Sequence, residues 1–85
     1  MIQHSLSIQA RFRPEVLERI LRVIRHRGFE LCTLNMTLQT ETKYINIYLT
    51  VASKRSVDLL STQLIKLIDI AHIEIQQTTS QQIRA

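Results

Sequence analysis

The chain has 85 residues with eleven Lys and Arg against seven Asp and Glu, a net charge of +4, and that length allows one small domain. Its 45% apolar content is too high for a disordered tail, and no apolar run approaches the roughly 20 residues of a bilayer span. A secretory signal pattern is absent, and the lone Cys32 excludes a disulfide framework and points to the cytoplasm.

Residues 4–12 alternate as a half-buried strand, with Leu6, Ile8, Ala10 and Phe12 on the inner face and Ser5, Ser7, Gln9 and Arg11 on the outer. Pro14 suits the first turn of a helix, where its missing N–H costs nothing. From Glu15 to His26 the period becomes helical, with an apolar stripe of Leu17, Ile20, Leu21 and Ile24 widened by Val16 and Val23. Gly28, the only glycine, follows as a left-handed C-cap. A second strand, 29–38, alternates Leu34, Met36 and Leu38 onto one face and is read as an edge strand. Residues 39–43 make a polar hairpin connection without Gly or Asn. Tyr44 to Val51 is the clearest strand, with Ile45, Ile47, Leu49 and Val51 on one side. Ser53 is read as the N-cap of a second helix whose stripe is Val57, Leu60, Leu64, Leu67 and Ile68. A last strand spans 70–77, and 78–85 is a polar tail.

Strand–helix–strand occurs twice. Each strand has one apolar face and each helix one apolar stripe, so the expected architecture is α+β: a ferredoxin-like βαββαβ domain over 1–77, with a four-stranded antiparallel sheet and two helices on one face. So small a domain buries only about 60% of its unfolded-chain surface, which makes oligomerisation a reasonable expectation.

Catalysis finds no support: the chain has no Gly-rich phosphate loop, nucleophile elbow or HExxH. His4, His26 and His72 fall in three elements and read as surface or rim histidines, so no metal site is expected. Cys32 reads as a small buried hydrophobe. Leu59 falls opposite its helix's stripe, compatible with a partner surface or with incidental exposure.

The charge is local. Between Arg11 and Arg27 stand six arginines and two glutamates, and the rest of the chain is neutral. Glu15–Arg19 and Glu18–Arg22 have the favourable acid-first i,i+4 order, and Arg25, His26 and Arg27 complement the helix dipole. A solvated, self-paired helix face therefore covers most of the cluster, leaving Arg11 and Arg13 unexplained. RNA binding by a basic ferredoxin-like domain is an alternative. However, base-stacking aromatics are missing from the outer face of the first strand, and only Tyr44 and Tyr48 could serve.

Three segments, Arg13-Pro-Glu-Val-Leu-Glu-Arg-Ile20, Arg27-Gly-Phe-Glu-Leu-Cys-Thr-Leu34 and Gln63-Leu-Ile-Lys-Leu-Ile-Asp-Ile70, in this order and spacing, resemble the ACT domain of the small regulatory subunits of acetolactate synthase (acetohydroxyacid synthase). The resemblance runs from about Leu6 to Ile75 and fits the short members that lack a second domain. It implies a subunit that does no chemistry and activates a catalytic large subunit in branched-chain amino-acid synthesis. That large subunit would carry thiamine diphosphate, a divalent metal and FAD; no cofactor is expected on this chain. It also implies a homodimer through ACT domains, with an amino-acid effector such as valine bound at the dimer interface. Neither nucleic acid nor membrane is an expected partner. A stand-alone amino-acid-sensing ACT module is the other alternative.

The resemblance places the effector site at Phe12, Arg13, Pro14, Glu15, Val16 and Leu17, with Glu30 and Leu31. Where the family has Asn, Gly and Asn, this chain has Phe12, Glu15 and Glu30. The Asn amides that would bind amino-acid polar groups are gone. A side chain at position 15 obstructs the close backbone approach that Gly permits. Two added carboxylates repel an amino acid's own, although Arg11 and Arg13 offset some of that. Phe12, in the inward phase of its strand, would fill the effector's space. Weak or absent valine feedback with retained activation is therefore expected. Arg11, Arg19 and Arg22 are the candidate partner contacts.

Overall fold

Alternation along β1 (Ile2–Arg11) buries His4, Leu6, Ile8 and Ala10 and leaves the intervening polar residues on the open face. The structure, a computed structural model, describes residues 2–39 and 41–80. After β1 come α1 (Val16–His26), β2 (Glu30–Gln39), β3 (Tyr44–Ser53), α2 (Val57–Leu64) and β4 (Ile70–Ser80). The strands form one antiparallel sheet in the order β2-β3-β1-β4. Each helix links two parallel strands separated by one other, and the right-handedness of such crossovers sends both helices to the same face. The ferredoxin-like expectation holds. The core is the helix-side residues of β1 and β3 packed against Val16, Ile20 and Ile24 of α1 and Val57, Leu60 and Leu64 of α2.

Gly28 closes α1 as a full Schellman motif at φ +82. Its N–H donates to the Arg25 carbonyl at 3.1 Å, and the Phe29 N–H donates to that of Ile24 at 3.0 Å. Phe29 and Ile24 both enter the core. The hairpin between β2 and β3 manages without Gly because Lys43 takes the left-handed conformation, φ 60.

Several expectations need correction. Ser53 does not cap α2. It ends β3, where its hydroxyl donates to the Gly28 carbonyl at 3.0 Å and accepts from the Arg55 N–H at 3.0 Å. The cap is Ser56, whose Oγ accepts from the Asp58 N–H. Phe12 lies beyond the end of β1, freed from its alternation, and is 48% exposed, so it fills no interior space. Leu17 flanks the α1 stripe, whose buried centre is Val16, Ile20 and Ile24. Helix α2 stops at Leu64, so the phase that would have buried Ile68 is lost; Ile68 is 87% exposed. His4 shares the parity of Leu6 and is buried, its ring 6.3 Å from that of Phe29. Cys32 sits at the β2 bulge between Leu31 and Thr33 and is exposed. Strand β4 continues past Gln77, with Thr78, Thr79 and Ser80 paired to His4, Gln3 and Ile2. The remainder of the expected tail, 81–85, lies outside the described residues.

Candidate functional site

The β1–α1 turn is held from both sides. At the end of β1 the backbone N–H of Arg11 donates to the Asp69 carbonyl at 2.8 Å, and just beyond it that of Phe12 donates to the Lys43 carbonyl at 2.9 Å. Arg13 Nε lies 2.9 Å from Oδ1 of Asp69, whose side chain is 5% exposed. The Val16 N–H closes the turn on the Arg13 carbonyl. Glu15 is the N-cap in the ordinary right-handed region (φ −94, ψ −1), so the backbone here does not require the family's Gly. Arg11, Arg13, Glu15, Arg19, Ile68 and Asp69 line an open groove of about 270 Å³.

The expected effector residues do not form one cluster within a chain. Glu30 pairs with Ala52, which pairs with Gln3, whereas Arg11 pairs with Tyr44. Eight residues of strand, roughly 26 Å, therefore separate Glu30 and Leu31 from the turn carrying Phe12 to Leu17. Glu30 and Leu31 instead border an apolar groove with Leu21, Ile24, Arg25 and Phe29.

The arginines are less self-paired than their spacing suggests. No ion pair joins Glu15 to Arg19 or Glu18 to Arg22. Among the described residues the ion pairs are Arg13–Asp69 and the loose, exposed His72–Glu74 contact at 3.9 Å. Arg27 reaches across to Gln63 of α2 with a 2.8 Å hydrogen bond. Arg11 and Arg19 face the groove, while Arg22 stands on the exposed outer face of α1, outside it. The sequence reading missed Ile68 and Asp69 as site residues. The available signal was an acid inside the apolar run 67–70 that breaks the helical period. Among the described residues no three His, Cys, Asp or Glu side chains are grouped to hold a metal, and no helix is long and apolar enough to cross a membrane.

A second surface lies along β2. Leu31, Leu34, Met36 and Leu38 are paired opposite the buried Val51, Leu49, Ile47 and Ile45 and so point to the helix side. Yet all ten residues of β2 are exposed, because the helices cover β1 and β3 and leave this edge open. An unpaired strand edge beside a row of exposed aliphatic side chains is a ready interface.

Residues 12–73 match the family model for the ACT domain, and the chain belongs to the ACT-domain family. Along its entire length it is similar to one particular subunit. It is 61% identical to the acetolactate synthase isozyme 2 small subunit of Escherichia coli (strain K12), over 87 aligned positions covering all of both chains, and equally so to that of Shigella flexneri. Solved structures share the fold. The acetolactate synthase small subunit of Thermotoga maritima superposes with a TM-score of 0.75 at 15% identity, covering 86% of this chain and 46% of that one. The ACT domain from GTP pyrophosphokinase of Chlorobium tepidum gives 0.74 at 14% identity, covering 87% and 96%.

Proposed function

We propose that the chain is the non-catalytic small subunit of an acetolactate synthase and acts in branched-chain amino-acid synthesis by binding the catalytic large subunit and raising its activity. The observation that carries this reading is the 61% identity over the full length of acetolactate synthase small subunits. Activation means that the chain binds the active conformation of the large subunit more tightly than the inactive one. Thiamine diphosphate, a divalent metal and FAD belong, on this reading, to the large subunit, and both work in the cytoplasm. Assaying the large subunit with and without the chain tests it: added chain should raise turnover, and unchanged turnover would remove the claim.

The same reading includes a homodimer through the β2 edges. Antiparallel pairing of two such edges about a two-fold axis would bury both rows of Leu31, Leu34, Met36 and Leu38. It would also carry Glu30 and Leu31 of one copy toward the partner's β1–α1 turn, which a single chain holds at the far end of its sheet. An effector site assembled that way would contain Glu15 and Glu30, two carboxylates facing an amino acid's own. Weak or absent valine regulation follows.

A further inference from the structure

The loop end of the molecule joins three turns: 12–15 after β1, 41–43 before β3, and 65–69 before β4. The last is rigid. The Ile65, Lys66 and Leu67 N–H groups bond back to Ser61, Gln63 and Leu64, and the Ile70 N–H bonds to Leu67. Leu67 and Ile70 pack on the core, and Asp69 is buried against Arg13. Ile68, between these anchors, is forced outward and is the most exposed large apolar residue among those described. An isoleucine fixed in water by a tied turn has little ordering cost left for binding. Beside it the groove holds Arg11 and Arg19, neither with an ion-pair partner among the described residues, while the acids lining it are the half-buried Glu15 and the buried, paired Asp69. Lys43, whose carbonyl accepts from the Phe12 N–H, and Lys66, in the turn before β4, are exposed at the same end of the molecule. A second copy of this chain would bring like charge against like, which disfavours self-association here.

We infer that this groove, with Ile68 on its rim and Arg11 and Arg19 in its wall, is where the chain grips the catalytic subunit, and that the occupant is a segment carrying a carboxylate beside apolar side chains. The carboxylate meets the two free guanidiniums and the apolar neighbour covers Ile68, leaving Arg13 to hold the turn through Asp69. The assignment rests on the regulatory reading above and names the surface through which that regulation acts.

The test is reconstitution of the holoenzyme with Ile68→Ser, Arg19→Glu and, on the far side of α2, Leu59→Ser as a control. Ile68→Ser and Arg19→Glu should each raise the chain concentration for half-maximal activation roughly tenfold or more. The Arg19→Glu loss should shrink at high salt, because the charge repulsion is screened. Leu59→Ser should activate like the unmodified chain, and circular dichroism should show all three folded. Full activation by both groove variants at unchanged concentration would overturn the assignment and leave the regulatory reading intact. Failure of the unmodified chain to activate would overturn the reading itself.

Discussion

Arg13 and Asp69 meet at 2.9 Å with very different surroundings: the Arg13 side chain is half-exposed and that of Asp69 is almost entirely buried. The asymmetry says which partner depends on the other. Arg13 can return to water, whereas the carboxylate has little water to return to. The Asp69 main chain also accepts from Arg11, so one residue before β4 anchors the β1–α1 turn at both Arg11 and Arg13.

Arg13→Ala should therefore destabilise the fold more than Asp69→Asn. Removing the arginine leaves a buried charge unpaired, at a cost of about 1–3 kcal/mol, while the amide keeps the shape and loses the charge. The double variant should be less destabilised than the sum of the singles, because the residues are in contact. Urea unfolding of the three variants measures this. Equal costs for the two single changes would mean that water reaches the carboxylate.

Gly28→Ala should cost about 1–2 kcal/mol, since φ +82 is a conformation that a Cβ disfavours. The new methyl would also stand 3.0 Å from Nε of Arg55. That atom belongs to the end of a flexible side chain and can move, so adding Arg55→Ala should recover only a small part of the loss. Thermal unfolding separates the two terms. Full recovery by the second change would place the penalty in the contact and not in the backbone.

The fold follows from periodicity where strands have neighbours on both sides. β1 and β3 alternate in sequence and alternate in burial. β2 alternates equally well, yet every residue of it is exposed. Periodicity reports which face a side chain takes, and the number of helices available decides whether that face is covered. Ile68 escaped for a related reason. No Gly or Pro stops α2 at Leu64, and the stripe continues in sequence through a segment that the structure closes with short-range turns. The resemblance named the β1–α1 turn and Glu30 together, but strand direction sets them at opposite ends of one chain.

The β2 edge makes a separable prediction. Leu34→Lys places a charge in the middle of the aliphatic row, where the side chain is already 36% exposed. The isolated fold should lose little, and sedimentation should shift from dimer toward monomer. A dimer of undiminished affinity would show that the copies meet elsewhere.

Arg19 and Arg22 lie one turn apart on α1 and should behave differently. Arg22→Glu leaves the groove intact and should shift half-maximal activation by no more than about threefold, in the range of a rim charge. Arg19→Glu reverses a charge inside the groove. Similar losses from both would move the contact from the groove to the whole outer face of the helix. Titrating the large subunit with each variant at low and high salt measures the difference.

Valine binding supplies the last test. The turn accepts a side chain at position 15 without strain, so the loss of Gly there has no conformational penalty and changes only what meets a ligand. Glu15 lines the groove with its carboxylate, and Glu30 brings another where the dimer would assemble the site. Calorimetry on the reconstituted complex should show no micromolar binding of valine. Replacing Phe12 and Glu30 by Asn and Glu15 by Gly removes both carboxylates, restores two amide donors and reopens the backbone N–H groups. That triple variant should bind valine at least roughly tenfold more tightly than the unmodified chain, since each buried charge-assisted hydrogen bond is worth about 1.5–3 kcal/mol. Micromolar binding by the unmodified chain would show instead that Arg11 and Arg13 outweigh the two glutamates.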